Sequence, residues 1–148
     1  MHASPDDEYT ILIIDDNPQL LRAYAEGLPL VGRFVVTTAV NGIEGLKRYE
    51  EVHPHCVVVD VKMPGLDGYQ FVQALRGDLQ TATTPLIILT ALTQDDERFH
   101  GLATGADRYL VKPVRPSELA AAIYQVCALD EDDRVAQLRK LVEGTERS

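Results

Sequence analysis

The chain has 148 residues and a mass of 16.4 kDa, the size of one ordinary domain that buries a core without disulfide staples. Hydrophobic residues make up 45% and charged residues 25%, which excludes a disordered chain; 23 acidic against 14 basic residues leave a net charge of −9, which argues against a broad nucleic-acid footprint. No apolar run approaches the roughly 20 residues needed to span a bilayer, and the acidic cluster Asp6-Asp7-Glu8 stands where a secretory signal is basic, so the cytoplasm is the expected compartment.

In chain order, the first apolar run is Ile11-Leu12-Ile13-Ile14. It ends in Asp15-Asp16, and Asn17-Pro18 then supplies a helix cap and a good first-turn residue. Leu20, Leu21, Tyr24, Ala25 and Leu28 form the stripe of that helix. A second run, Phe34-Val35-Val36, precedes Asn41 and Glu44, spaced as in a capping box, with Leu46 and Tyr49 continuing the helix. Cys56-Val57-Val58-Val59 ends in Asp60, and Phe71, Val72 and Leu75 mark the helix after it. Leu86-Ile87-Ile88-Leu89 ends in Thr90; Thr93 with Asp96 opens a further helix that Gly101 or Gly105 stops. Tyr109-Leu110-Val111 ends in Lys112-Pro113, and a last helix starts near Pro116-Ser117 with Leu119, Ala120, Ile123, Val126 and Cys127. His53 and His55, flanking Pro54, read as loop histidines, and Cys56 and Cys127 as two buried thiols.

The runs are short, mostly β-branched and without polar alternation, as in strands covered on both faces of a parallel sheet. The expected fold is α/β: a doubly wound (βα)5 three-layer sandwich with a C-terminal helical extension. In a five-stranded parallel sheet of order 2-1-3-4-5, ligands bind beyond the carboxyl ends of the strands where the winding reverses, between strands one and three. Asp15, Asp16 and Asp60 would crowd there, with Thr90 and Lys112 on the same rim. Two like charges about 4 Å apart cost roughly 4 kcal/mol at an effective dielectric of 20. A divalent cation offsets that, and hard oxygen ligands suggest Mg2+. The same crowding predicts that Asp16→Ala stabilises the metal-free protein.

The strings ILIIDDNPQL, VVVDVKMPGLDGYQFVQALR, TPLIILTAL and GADRYLVKPVRPSEL resemble the receiver domain of two-component response regulators, chemotaxis-type and flavodoxin-like. The resemblance covers Thr10 to Leu129. It implies that Asp60 accepts a phosphoryl group from a histidine kinase or phosphotransfer protein in a phosphorelay. It implies that Asp15, Asp16, Asp60 and the backbone carbonyl of Lys62 hold Mg2+, and that Lys112 and Thr90 contact the phosphoryl oxygens. Thr90, Ala91 and Tyr109 match the family's switch positions, and Lys112-Pro113 its cis peptide. Positions such as Lys62 and Leu92 tune the phosphoryl lifetime in the family. Arg115 departs from the usual Ser or Asp helix cap.

The implied activity is that of a cytoplasmic signalling switch that assists its own phosphorylation and dephosphorylation, not an enzyme on external substrates. It works through protein contacts at the strand 4/5 face, without direct nucleic-acid or membrane binding. The expected division is an N-terminal tail over 1–9, the receiver over 10–129 and a helical extension or linker over 130–148. In the last segment Val135, Leu138, Leu141 and Val142 recur at helical steps. A homodimer through the strand 4/5 face or this segment stays open, as does a receiver fragment of a larger multidomain regulator or hybrid kinase. A Mg2+-dependent phosphatase with an aspartyl-phosphate intermediate is the competing enzyme class; it calls for a second Asp two residues after the nucleophile, where this chain has Lys62. A phosphate-independent interaction module is the competing binding class.

Overall fold

The computed structural model describes residues 8–61, 68–91 and 105–128. Five strands, β1 (Tyr9–Ile14), β2 (Phe34–Ala39), β3 (Cys56–Val59), β4 (Leu86–Thr90) and β5 (Arg108–Val111), form one sheet of order β2-β1-β3-β4-β5. Every neighbouring pair is parallel. The described helices are α1 (Pro18–Val31), α2 (Gly42–Val52), α3 (Gly68–Arg76) and α4 (Pro116–Cys127). The helix expected from Thr93, the 62–67 loop and the 130–148 segment lie outside the described residues; Gly105, one of the two suggested stops, has φ 77°.

Alternation along the central strands splits the interior into two layers. Ile11 and Ile13 of β1 point to the face covered by α1 and α4, where Leu21, Tyr24, Leu28, Leu119, Ile123 and Val126 are buried. Leu12 and Ile14 point the other way, onto Phe71, Val72 and Leu75 of α3, with Leu46 and Tyr49 of α2 packed alongside. The helix starts follow their caps. Asn17 accepts hydrogen bonds from the Gln19 and Leu20 N–H groups, and Asn41 from Glu44 N–H at 2.8 Å. Arg115 precedes α4 without a side-chain cap bond, as its residue type leads one to expect.

Two expectations need correction. The apolar runs at 34–36 and 109–111 are not covered on both faces: Val35 is 47% exposed and Val111 46% exposed. Both belong to edge strands, where a β-branched run serves propensity as well as burial. Both cysteines are free thiols, but only Cys56 is buried; Cys127, at the end of α4, is half-buried with its Sγ 3.8 Å from the His55 carbonyl oxygen.

Candidate functional site

Register brings the acids together. β1 lies between β2 and β3, with Ile14 opposite both Ala39 and Val59. One residue on, Asp15 N–H donates to the Ala39 carbonyl at 3.1 Å and Asp60 N–H to the Ile14 carbonyl at 2.9 Å. The two side chains thus leave adjacent strands at the same level. Both are buried, at 2% and 6% exposure, whereas Asp16 is exposed. One carboxylate oxygen from each of Asp15, Asp16 and Asp60 lies within 4.8 Å of the other two.

The site has its own cation. Lys112 Nζ donates to Asp15 Oδ2 at 2.7 Å and to Asp60 Oδ2 at 3.0 Å, both inside salt-bridge range and well shielded from water. The Lys112 main chain is tied to β4 by its N–H, 2.8 Å from the Thr90 carbonyl, and the Lys112–Pro113 bond is cis. Burial pushes the Asp15 carboxyl above its ordinary range, against hydrogen bonds from Lys112 and from Asn17 N–H. Burial alone would lower the Lys112 ammonium, but its bonds to Asp15 and Asp60 outweigh this and hold it above its ordinary value. The crowding inferred from sequence is therefore answered in part by Lys112, and Asp16, facing water, contributes least to it.

The remaining expected positions fall nearby or outside the described residues. Thr90 is fully buried at the end of β4, and Ala91 is exposed just beyond it. Tyr109, opposite Ile88 on β5, is half-buried and packs on the α2–α3 side of the sheet. Lys62 is not among the described residues. Gly68, the first residue of α3, lies so close to the end of β3 that a Cβ there would stand 2.2 Å from the Asp60 carbonyl oxygen and 2.5 Å from Val61 Cα.

Several polar side chains have roles that the sequence did not signal. Arg76 Nη2 meets Asp107 at 3.2 Å in a buried ion pair, and its other nitrogens donate to the Gly105 and Thr84 carbonyls. Asp107 also accepts from Leu86 N–H at 2.8 Å, so the pair joins α3 to the starts of β4 and β5. His55 Nδ1 accepts from Thr10 N–H at 2.9 Å, which makes a loop histidine part of the sheet's amino end. Tyr24 on α1 donates its hydroxyl to the Val114 carbonyl at 2.7 Å. Nothing in a single sequence pairs residues this far apart.

Comparison with known proteins fits this frame. The family model described as response regulator receiver domain matches residues 11–124. The chain belongs to the response regulator receiver family. Its likeness to solved receivers is close in fold: the chemotaxis protein CheY4 of Vibrio cholerae superposes with a TM-score of 0.74 at 31% identity, over 81% of this chain and 99% of that one. A response regulator from Chloroflexus aurantiacus gives a TM-score of 0.74 at 30% identity, over 83% of this chain and 100% of that one. Among curated proteins, the receiver is 42% identical over 116 residues to the "Probable transcriptional regulator ycf27" of Porphyridium aerugineum, covering 78% of this chain and 47% of that protein. It is 42% identical over 113 residues to the transcriptional regulatory protein PrrA of Mycobacterium tuberculosis, covering 76% of this chain and 47% of that protein. The chain thus spans about half the length of the curated relatives it matches. No described helix is long and apolar enough to cross a membrane.

Proposed function

We propose that this receiver is a phosphorylation switch in which Asp60 takes a phosphoryl group from a histidine kinase or phosphotransfer protein. The observation that supports it best is the Lys112 ammonium spanning Asp15 and Asp60 at 2.7 and 3.0 Å, with Asp16 completing a three-carboxylate cluster. The donor set suits a hard cation, so Asp15, Asp16 and Asp60, with the Lys62 carbonyl, are the residues that would hold Mg2+. Bound there, the ion would neutralise the charge that otherwise repels an incoming phosphoryl group.

The protein's own groups do the rest. An Asp60 oxygen forms the new O–P bond as the donor's bond to phosphorus breaks, and that electron pair leaves with the donor. Lys112, held 3.0 Å from Asp60 Oδ2, is the cation that would stabilise charge on the oxygens of the transferring group. The product adds about −1.5 to −2 charge and three strong acceptors to the rim. Thr90, Ala91 and Tyr109 are the residues that respond: the hydroxyl of Thr90 turns to an acceptor oxygen, and Tyr109, half-buried in the α2–α3 layer, follows the space this opens. The changed strand 4/5 face then reaches its partner.

The names and lengths of the curated relatives favour one elaboration. They are called transcriptional regulators and are about twice as long as the matched stretch. In this reading the receiver is the input part of such a regulator, acts in the cytoplasm with its kinase, and signals through protein contacts; any contact with nucleic acid belongs to the part of those relatives that it does not match. Incubation with acetyl phosphate and Mg2+ is expected to add one phosphate per chain, and Asp60→Asn to add none. Unchanged labelling of Asp60→Asn would remove the acceptor assignment.

A further inference from the structure

The segment that presents Lys112 is gripped on both sides. Before it, β4 holds the Lys112 N–H through the Thr90 carbonyl at 2.8 Å. After it, the Val114 carbonyl accepts the Tyr24 hydroxyl at 2.7 Å. Tyr24 is 2% exposed, so its hydroxyl is committed to this main-chain acceptor rather than to bulk water. One turn along α1, Gly27 lets the start of α4, into which that loop runs, come close: a Cβ there would stand 2.7 Å from Pro116 Cγ and 3.1 Å from Pro116 Cβ. The other end of α1 is tied to the acids, since Asn17 N–H donates to Asp15 Oδ1 at 2.9 Å. One helix therefore references both the Asp15 carboxylate and the loop that carries its cationic partner.

We infer that Tyr24 is a positioning residue for the phosphoryl-transfer site: its hydrogen bond to Val114, supported by the close approach of Gly27 and Pro116, sets the loop so that the Lys112 ammonium spans Asp15 and Asp60. The Lys112 bonds are 2.7 and 3.0 Å, and a shift of about 1 Å in the loop would take them out of hydrogen-bond range. Tyrosine is used here for one atom, since phenylalanine would fill the same space in the α1–α4 layer and leave the Val114 carbonyl without this donor. The effect on rate rests on Asp60 being the acceptor; the effect on Lys112 does not.

The test uses the full chain, with acetyl phosphate as donor and 15N-labelled lysine to follow the Lys112 ammonium by NMR. Tyr24→Phe is expected to slow phosphate uptake at saturating Mg2+ by about fivefold, while the Mg2+ concentration for half-maximal rate moves by less than about twofold. The Lys112 resonance, assigned with Lys112→Arg, is expected to shift or broaden in Tyr24→Phe, and in the same direction in Gly27→Ala. Wild-type rate and an unmoved Lys112 resonance in Tyr24→Phe would overturn the inference. So would a loss of rate matched by an equal loss of Mg2+ affinity with that resonance unmoved, which marks general loosening. If the wild-type chain takes up no phosphate, the acceptor reading fails, and the Lys112 resonance alone decides what Tyr24 does.

Discussion

Lys112 holds together two buried carboxylates that would otherwise repel each other, and its removal exposes that cost. Lys112→Met is expected to lower the unfolding free energy of the metal-free protein at neutral pH by about 2–4 kcal/mol, because one substitution strands two buried anions. Denaturant titration checks it. The pH dependence has a definite sign. A lysine raised above 10.5 by its partners gives its full stabilisation below that pH and loses it as pH climbs through the elevated value. The gap between wild type and Lys112→Met is therefore expected to narrow above pH 10.5. Asp15 has the same sign in the acid range: burial raises its carboxyl, so its ionisation costs stability as pH rises from 3.8 through the raised value. Asp16 is the mild member of the cluster. Because it faces water, Asp16→Ala is expected to stabilise the metal-free protein by no more than about 0.5 kcal/mol. The same variant is expected to show a smaller rise in melting temperature when Mg2+ is added.

At the scale of elements, the junction between β3 and α3 is the tightest place near Asp60 among the described residues. A methyl group at Gly68 would collide with the main chain of Asp60 and Val61, which has no side-chain end to swing aside. Gly68→Ala is expected to destabilise the protein by about 1–3 kcal/mol, the range of overpacking, and to slow phosphate uptake together with it; parallel melts and labelling measure both. Elements of this kind differ in how far the sequence reveals them. The strands β1, β3 and β4 were legible because each is a short apolar run closed by a polar residue, and α1 and α2 because Asn17 and Asn41 are strong caps. The acids were legible for the same reason: strand ends in a parallel sheet share one rim, so Asp15 and Asp60 needed only the strand order to meet. The edges of the sheet were misjudged, since Val35 and Val111 look like core residues until their neighbours are known. The bonds from Tyr24 to Val114, Arg76 to Asp107 and His55 to Thr10 were illegible, because each joins residues whose separation along the chain has no local signature.

The whole molecule divides its labour between the two ends of the sheet. At the amino end, the Arg76–Asp107 pair ties α3 to β4 and β5, and His55 separately ties the approach to β3 to β1. At the carboxyl end the acids and Lys112 are gathered at the rim above the two core layers. The described residues of both layers run from Tyr9 to Cys127, and a chain ending at Leu129 is expected to take up phosphate from acetyl phosphate at the rate of the 148-residue chain. A truncated chain that folds but labels at a tenth of that rate would give the final segment a part in the site. The backbone of Asp60 has one more consequence. Pinned to Ile14 on one side and backed by Gly68 on the other, it behaves as an anvil: a blow delivered to its carboxylate cannot be absorbed by recoil of the strand beneath. If Asp60 is modified as proposed, the displacement is expected to pass sideways, into neighbours with room to give way, rather than back along the strand.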